Sequence, residues 1–118
     1  MPAVPNKPMR TITVGTTPVE LANAEISRIR WELGYVPGSV IAGNTGNIFV
    51  GRGFIPTATL GAPNMGDVMD PGSTIVEEKK YDGDALPYKG PIWAVSDTPG
   101  QVITFESLLA SEINSGAQ

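Results

Sequence analysis

The chain has 118 residues, of which glycine (14) and proline (11) make up about a fifth, against roughly 12% in an average protein. Interior proline removes a backbone donor and interior glycine costs helix stability, so this composition excludes a helix bundle. With no histidine, no cysteine and a net charge of −4, disulfides, thiolate and haem sites, histidine-based catalysis and a basic nucleic-acid surface are excluded as well.

Residues 1–9 carry Pro2, Pro5 and Pro8, a spacing that disfavours helix and internal strand and predicts an extended arm. A frayed terminus is the simpler reading; Val4 and Met9 among the prolines make a docking arm the sharper one. From Arg10 to Val14, Ile12 and Val14 alternate with Thr11 and Thr13, the period-two pattern of a strand. A turn at Gly15-Thr16-Thr17-Pro18 leads to a short second strand through Val19 and Leu21. The run from Glu25 to Leu33 predicts a third, with Ile29, Trp31 and Leu33 on a buried face and Arg28, Arg30 and Glu32 on a wet one. Val40 and Ile41 are expected to form a brief edge strand, and residues 42–46 a hairpin.

A central strand follows over 47–51, and residues 52–56 leave the sheet. The Gly-, Pro- and Met-rich stretch over 61–72 is expected to be a long irregular loop. Ser73 to Tyr81 starts as a β pattern and turns charged, as a defended edge strand does. Ile92 to Val95 is an apolar strand, Asp97-Thr98-Pro99-Gly100 a turn, and Gln101 to Glu106 the last strand, with a helical turn expected at 108–110. Seven or eight short strands with a turn every 8–12 residues predict an all-β fold, a single antiparallel β-sandwich or jelly-roll domain over residues 10–110, with a tail over 111–118.

Chemistry finds little purchase. Asp67, Asp70, Glu77, Glu78, Asp82 and Asp84 concentrate acid around Lys79 and Lys80, but no calcium-loop spacing is completed and a solvated turn is the simpler reading. Gly43, Gly46, Gly51 and Gly53 lack the lysine-serine/threonine end of a phosphate loop and read as hairpin and bulge glycines. Trp31 and Trp93 sit in strand patterns, where core packing outweighs sugar stacking. Arg28 and Arg30 beside Glu32 offer either a solvated face or a contact for an acidic partner. No catalytic, cofactor-binding or metal residue emerges, and an enzyme is not expected. No apolar run reaches the roughly 18 residues that span a bilayer, and the first residues lack a signal-peptide core, so neither membrane nor secretion is expected.

The order of the segments Thr13–Leu21, Arg28–Trp31, Gly46–Gly51, Tyr88–Val95 and Val102–Glu106 resembles the small β-sandwich head decoration, or cement, proteins of tailed bacteriophages. The resemblance spans about residues 11 to 107 and departs at the long loop over 54–72. It implies a structural protein, made in the host cytoplasm, that sits on the capsid exterior, clamps the major capsid protein shell and self-associates, with a homotrimer favoured. It implies no cofactor. Phe54, Ile55, Met65 and Met69, with Pro2, Val4, Pro5, Lys7, Met9 and Arg10, are the expected interface residues. The alternative is a virion-surface or tail-associated recognition module that binds a host glycan or receptor.

Overall fold

The computed structural model describes residues 9–79, 81, 83 and 85–110. Eight strands follow one another: β1 (Arg10–Val14), β2 (Val19–Ala22), β3 (Arg28–Tyr35), β4 (Ile48–Arg52), β5 (Asp67–Met69), β6 (Thr74–Glu78), β7 (Ile92–Ser96) and β8 (Gln101–Leu109). They form two four-stranded sheets, ordered β1-β8-β3-β6 and β2-β7-β4-β5, and every pairing is antiparallel. The pairs β1/β8, β2/β7, β3/β6 and β4/β5 are nested, as if one long hairpin had been folded across itself. This is the strand order of an eight-stranded jelly roll, and it meets the expectation of an all-β antiparallel sandwich.

Alternation places one face of each sheet in the core. Val14, Trp31, Leu33, Tyr35, Ile103 and Phe105 from the first sheet meet Leu21, Ile48, Val50, Met69, Ile92 and Ala94 from the second, all essentially buried. Trp31 and Phe105 lie 6.1 Å apart between ring centroids and are tilted by 35°, a separation at which aromatic pairs attract. The second sheet also buries residues on its outer side: the cross-strand partners Phe49 and Val95 are 0% and 2% exposed. The chain after β4 folds back there, and a Cβ on Gly51 would collide with the Phe54 carbonyl and with Pro56. Glycine at 51 is thus a requirement of close approach.

Several expectations are corrected. Arg28 is not on the wet face but fully buried. The ladder between β3 and β8 advances two residues on β3, from Arg28 to Arg30, for one on β8. This bulge inverts the alternation and turns Arg28 inward. Strand β3 also continues through Gly34 to Tyr35 instead of ending at Leu33. Val40 and Ile41 are not a strand: both backbone N–H groups bond to the Pro37 carbonyl in a tight turn. Residues 42–46 are no hairpin, because they carry the chain from one sheet to the other. Of Gly43, Gly46, Gly51 and Gly53, Gly53 alone has a positive φ, 85°. The stretch over 61–72 contains a strand, β5, and Leu108 and Leu109 extend β8 rather than form a helical turn. Residues 1–8 of the arm predicted over 1–9, and the tail predicted over 111–118, lie outside the described residues.

Candidate interaction surfaces

Antiparallel nesting sends the β2–β3, β4–β5 and β6–β7 connections, the start of β1 and the end of β8 to one end of the sandwich. Backbone bonds join them there: Glu25 N–H to the Lys89 carbonyl at 2.7 Å, Gly53 N–H to Pro91 at 2.8 Å and Ala110 N–H to Ser27 at 2.9 Å. Arg28 is the tie beneath these loops. Its Nε donates to Ser107 Oγ (2.9 Å), one terminal nitrogen to the carbonyls of Tyr88 (2.9 Å) and Gly90 (3.0 Å), and the other to that of Asn23 (2.6 Å). Burial pushes its pKa below the ordinary arginine value, with Glu25 acting in the opposite direction. An open cleft of about 380 Å³ lies beside it, lined by Arg10, Asn23, Glu25, Ser107 and Leu109 among others.

The same end carries apolar side chains that the fold leaves in water. Among the described residues, Ile26 (88% exposed), Phe54, Ile55, Leu60, Tyr81 and Leu86 all belong to its loops; Val40, Val68 and Val76 complete the exposed large hydrophobics elsewhere. Six of these nine therefore lie on the three connections that share this end; exposed hydrophobics that adjoin one another mark contact sites, whereas scattered ones need no explanation.

The opposite end is closed by buried polar groups. Gln101, fully buried, accepts from the N–H groups of Thr45 (2.9 Å) and Gly46 (3.0 Å) and donates to the carbonyls of Gly43 and Pro99, both at 2.9 Å. Asn44 donates to the Val36 and Val102 carbonyls and accepts from Val102 N–H. The Tyr35 hydroxyl lies between the Gly46 carbonyl (2.9 Å) and Gln101 Oε1. Burial and, secondarily, Asp97 raise the Tyr35 pKa, so its proton stays available for donation.

Along the β5/β6 side the two sheets are joined by charge. Glu77 accepts from Trp31 Nε1 (2.8 Å) and Tyr88 N–H (2.8 Å) with one oxygen and from Arg52 (2.9 Å) with the other, while Arg52 also pairs with Asp67. The Arg52 guanidinium sits 5.3 Å from the Trp31 ring centroid, within cation–π range. Burial alone would raise the Glu77 pKa, but the Tyr88, Trp31 and Arg52 donors outweigh it and hold it below 4.5. A carboxyl with a depressed folded-state pKa contributes stability above its unfolded value, and that contribution is lost as pH falls through the folded value. The urea midpoint is therefore expected to fall as pH drops below about 4.5, and Glu77→Gln to flatten that decline; an unchanged pH profile in the variant would show that other carboxyls control it.

On the outer face of the first sheet, Arg30 meets Glu32 and Glu106, both at 2.5 Å, and Glu78 at 3.3 Å. One cation against three carboxylates leaves this face acidic. Among the described residues no cluster of acidic side chains is placed to hold a metal ion: Asp67 faces Arg52, Glu77 the inter-sheet seam and Glu78 Arg30. Asp82 and Asp84 lie outside the described residues.

The expected interface residues separate. Phe54 and Ile55 are exposed, 40% and 52%, and Met65 is half-buried, its sulfur accepting from Gly61 N–H at 3.2 Å. Met69 is corrected: it is 2% exposed, in the core on β5. The Arg10 guanidinium is turned inward, bonded to the Leu21 carbonyl (2.8 Å) and 5.5 Å from the Phe105 ring centroid. Met9 is half-buried, and Pro2, Val4, Pro5 and Lys7 lie outside the described residues. Ile26, Leu60, Tyr81 and Leu86 were not foreseen. Their signal is a lone apolar residue inside a polar or turn-forming stretch, as in Ala24-Glu25-Ile26-Ser27. Trp31 is in the core and Trp93 half-buried. Compared with family models, curated proteins and solved structures, the chain matches none.

Proposed function

We propose that the protein is a capsid decoration protein: it binds the outside of a major capsid protein shell and stabilises it. The observation that carries this reading is that the exposed Ile26, Phe54, Ile55, Leu60, Tyr81 and Leu86 all lie on the three connections at one end of a jelly roll, the end at which β1 starts. Such an end can press apolar side chains onto a shell while the chain preceding β1 reaches a neighbouring subunit, and a clamp needs two points of attachment. The acidic outer face around Arg30 stays in water and supports solubility. Self-association around a shell three-fold would cover Phe54 and Ile55 further.

The test mixes the purified protein with undecorated shells. Saturable, symmetric occupancy is expected, and Phe54→Glu with Ile55→Glu should weaken it at least about tenfold, as two buried apolar anchors would. Deleting residues 1–9 should weaken it without unfolding the domain. Absence of shell binding, with measurable binding to cell-surface sugars, would overturn the reading in favour of a receptor-recognition module.

A further inference from the structure

We infer that β1 is a pairing edge for a second copy of this chain, which adds its own β1 antiparallel to form one continuous eight-stranded sheet. The inference rests on the edges of the sandwich and is independent of the shell reading. Two open sheets have four edge strands, here β1, β6, β2 and β5. An unprotected edge is a template for further pairing, and proteins block it with charge, shortness, proline or a bulge. Strand β6 carries Glu77 and Glu78. Strand β5 has three residues and is followed closely by Pro71. Strand β2 has four, starts after Pro18 and is interrupted in register between Glu20 and Ala22.

Strand β1 is the least defended of the four: from Thr11 to Val14 it carries no charge, no proline and no break in register. Its five residues pair with β8 in unbroken register from Arg10 to Val14, and among the described residues no backbone group bonds to its outer edge. Its one charged side chain, that of the exposed first residue Arg10, donates to the Leu21 carbonyl. Ile12 packs against the core yet remains half-exposed at this margin.

The occupant follows from the sequence of the strand, Arg-Thr-Ile-Thr-Val. An antiparallel pair centred on Ile12 sets Ile12 beside Ile12 of the second copy and Thr11 opposite Thr13, twice. Arg10 then faces Val14. Threonine and β-branched pairs stabilise such ladders, and no like charges oppose each other. The two Arg10 residues fall at opposite ends of the ladder, about 13 Å apart along the strand, beyond the Debye length of about 8 Å in physiological salt. The proline-rich segment before β1 is a poorer occupant, because Pro2, Pro5 and Pro8 lack the N–H that a ladder needs. Five residues a side is less than a permanent dimer buries, so the pair is expected to form in a concentration-dependent way.

Sedimentation velocity of the full chain over a wide concentration range tests this. A monomer–dimer equilibrium is expected. Thr11→Lys with Thr13→Lys places like charges opposite each other twice and should weaken the dimer at least about tenfold; Thr11→Glu with Thr13→Glu should do the same. Both threonines are exposed on the outer face, and matching urea unfolding curves would confirm that the variants fold. Mixing the two variants should restore a dimer, since each lysine then meets a glutamate. A monomer at every concentration, a trimer, dimerisation of the lysine variant as tight as the parent's, or no dimer in the mixture would each overturn the inference.

Discussion

Arg28→Met is expected to cost about 3–5 kcal/mol, the range seen when a buried charged donor is removed and its partners are stranded. Methionine fills much of the volume but leaves the carbonyls of Asn23, Tyr88 and Gly90 without the donors that now reach them. These carbonyls belong to two different connections, so the loss acts on their mutual position as well as on a site. A domain of this size has a total stability of about 5–15 kcal/mol, which makes the change a large fraction of it. Urea unfolding of the variant and its parent measures the difference. Arg28→Lys should fall between them, because one ammonium cannot span three carbonyls and Ser107 Oγ. A loss below about 1 kcal/mol in the methionine variant would mean that water replaces the guanidinium and that Arg28 does not hold the loops.

Gln101→Leu is expected to cost about 2–4 kcal/mol by stranding the N–H groups of Thr45 and Gly46 and the carbonyls of Gly43 and Pro99. Its effect should be localised: amide exchange of Thr45 and Gly46 should accelerate more than that of the β4 and β7 strands. Gln101→Glu separates donor from charge. A glutamate in that buried site would have a raised pKa, so its cost grows as pH rises above the unfolded value of about 4.3 and is smallest in acid. Equal exchange rates at 45–46 in Gln101→Leu and the parent would show that the crossing between sheets is held by Asn44 and Tyr35 without it.

How far the sequence discloses this molecule is seen in particular residues. Ile12 and Val14 alternate cleanly because β1 has one dry and one wet face, and period-two reading finds them; Ile92 to Val95 is legible instead as an apolar run of strand length, since β7 is buried on both sides. The same rule misplaces Arg28, because one inserted residue at the bulge inverts the alternation and nothing in Ser27-Arg28-Ile29-Arg30 marks it. Strand β5 escapes notice because Asp67-Val68-Met69 is too short to show a period and is paired only through β4. Gln101 reads as an ordinary strand start; three of the four backbone groups that hold it, at Gly43, Thr45 and Gly46, lie more than fifty residues earlier. The apolar loop residues Phe54 and Ile55 were legible as exposed candidates, whereas Ile26 and Leu86 join them only once nesting brings three connections together.

Because β1 starts and β8 ends at the same end as the exposed apolar loops, a passenger joined directly to either strand would leave the domain beside them. A fluorescent protein or displayed peptide fused there is expected to crowd those loops. The Thr16-Thr17 turn between β1 and β2 is exposed at the far end and outside the network around Gln101. A passenger spliced into that turn would face away from the loops, so the fold itself indicates where this protein can carry cargo.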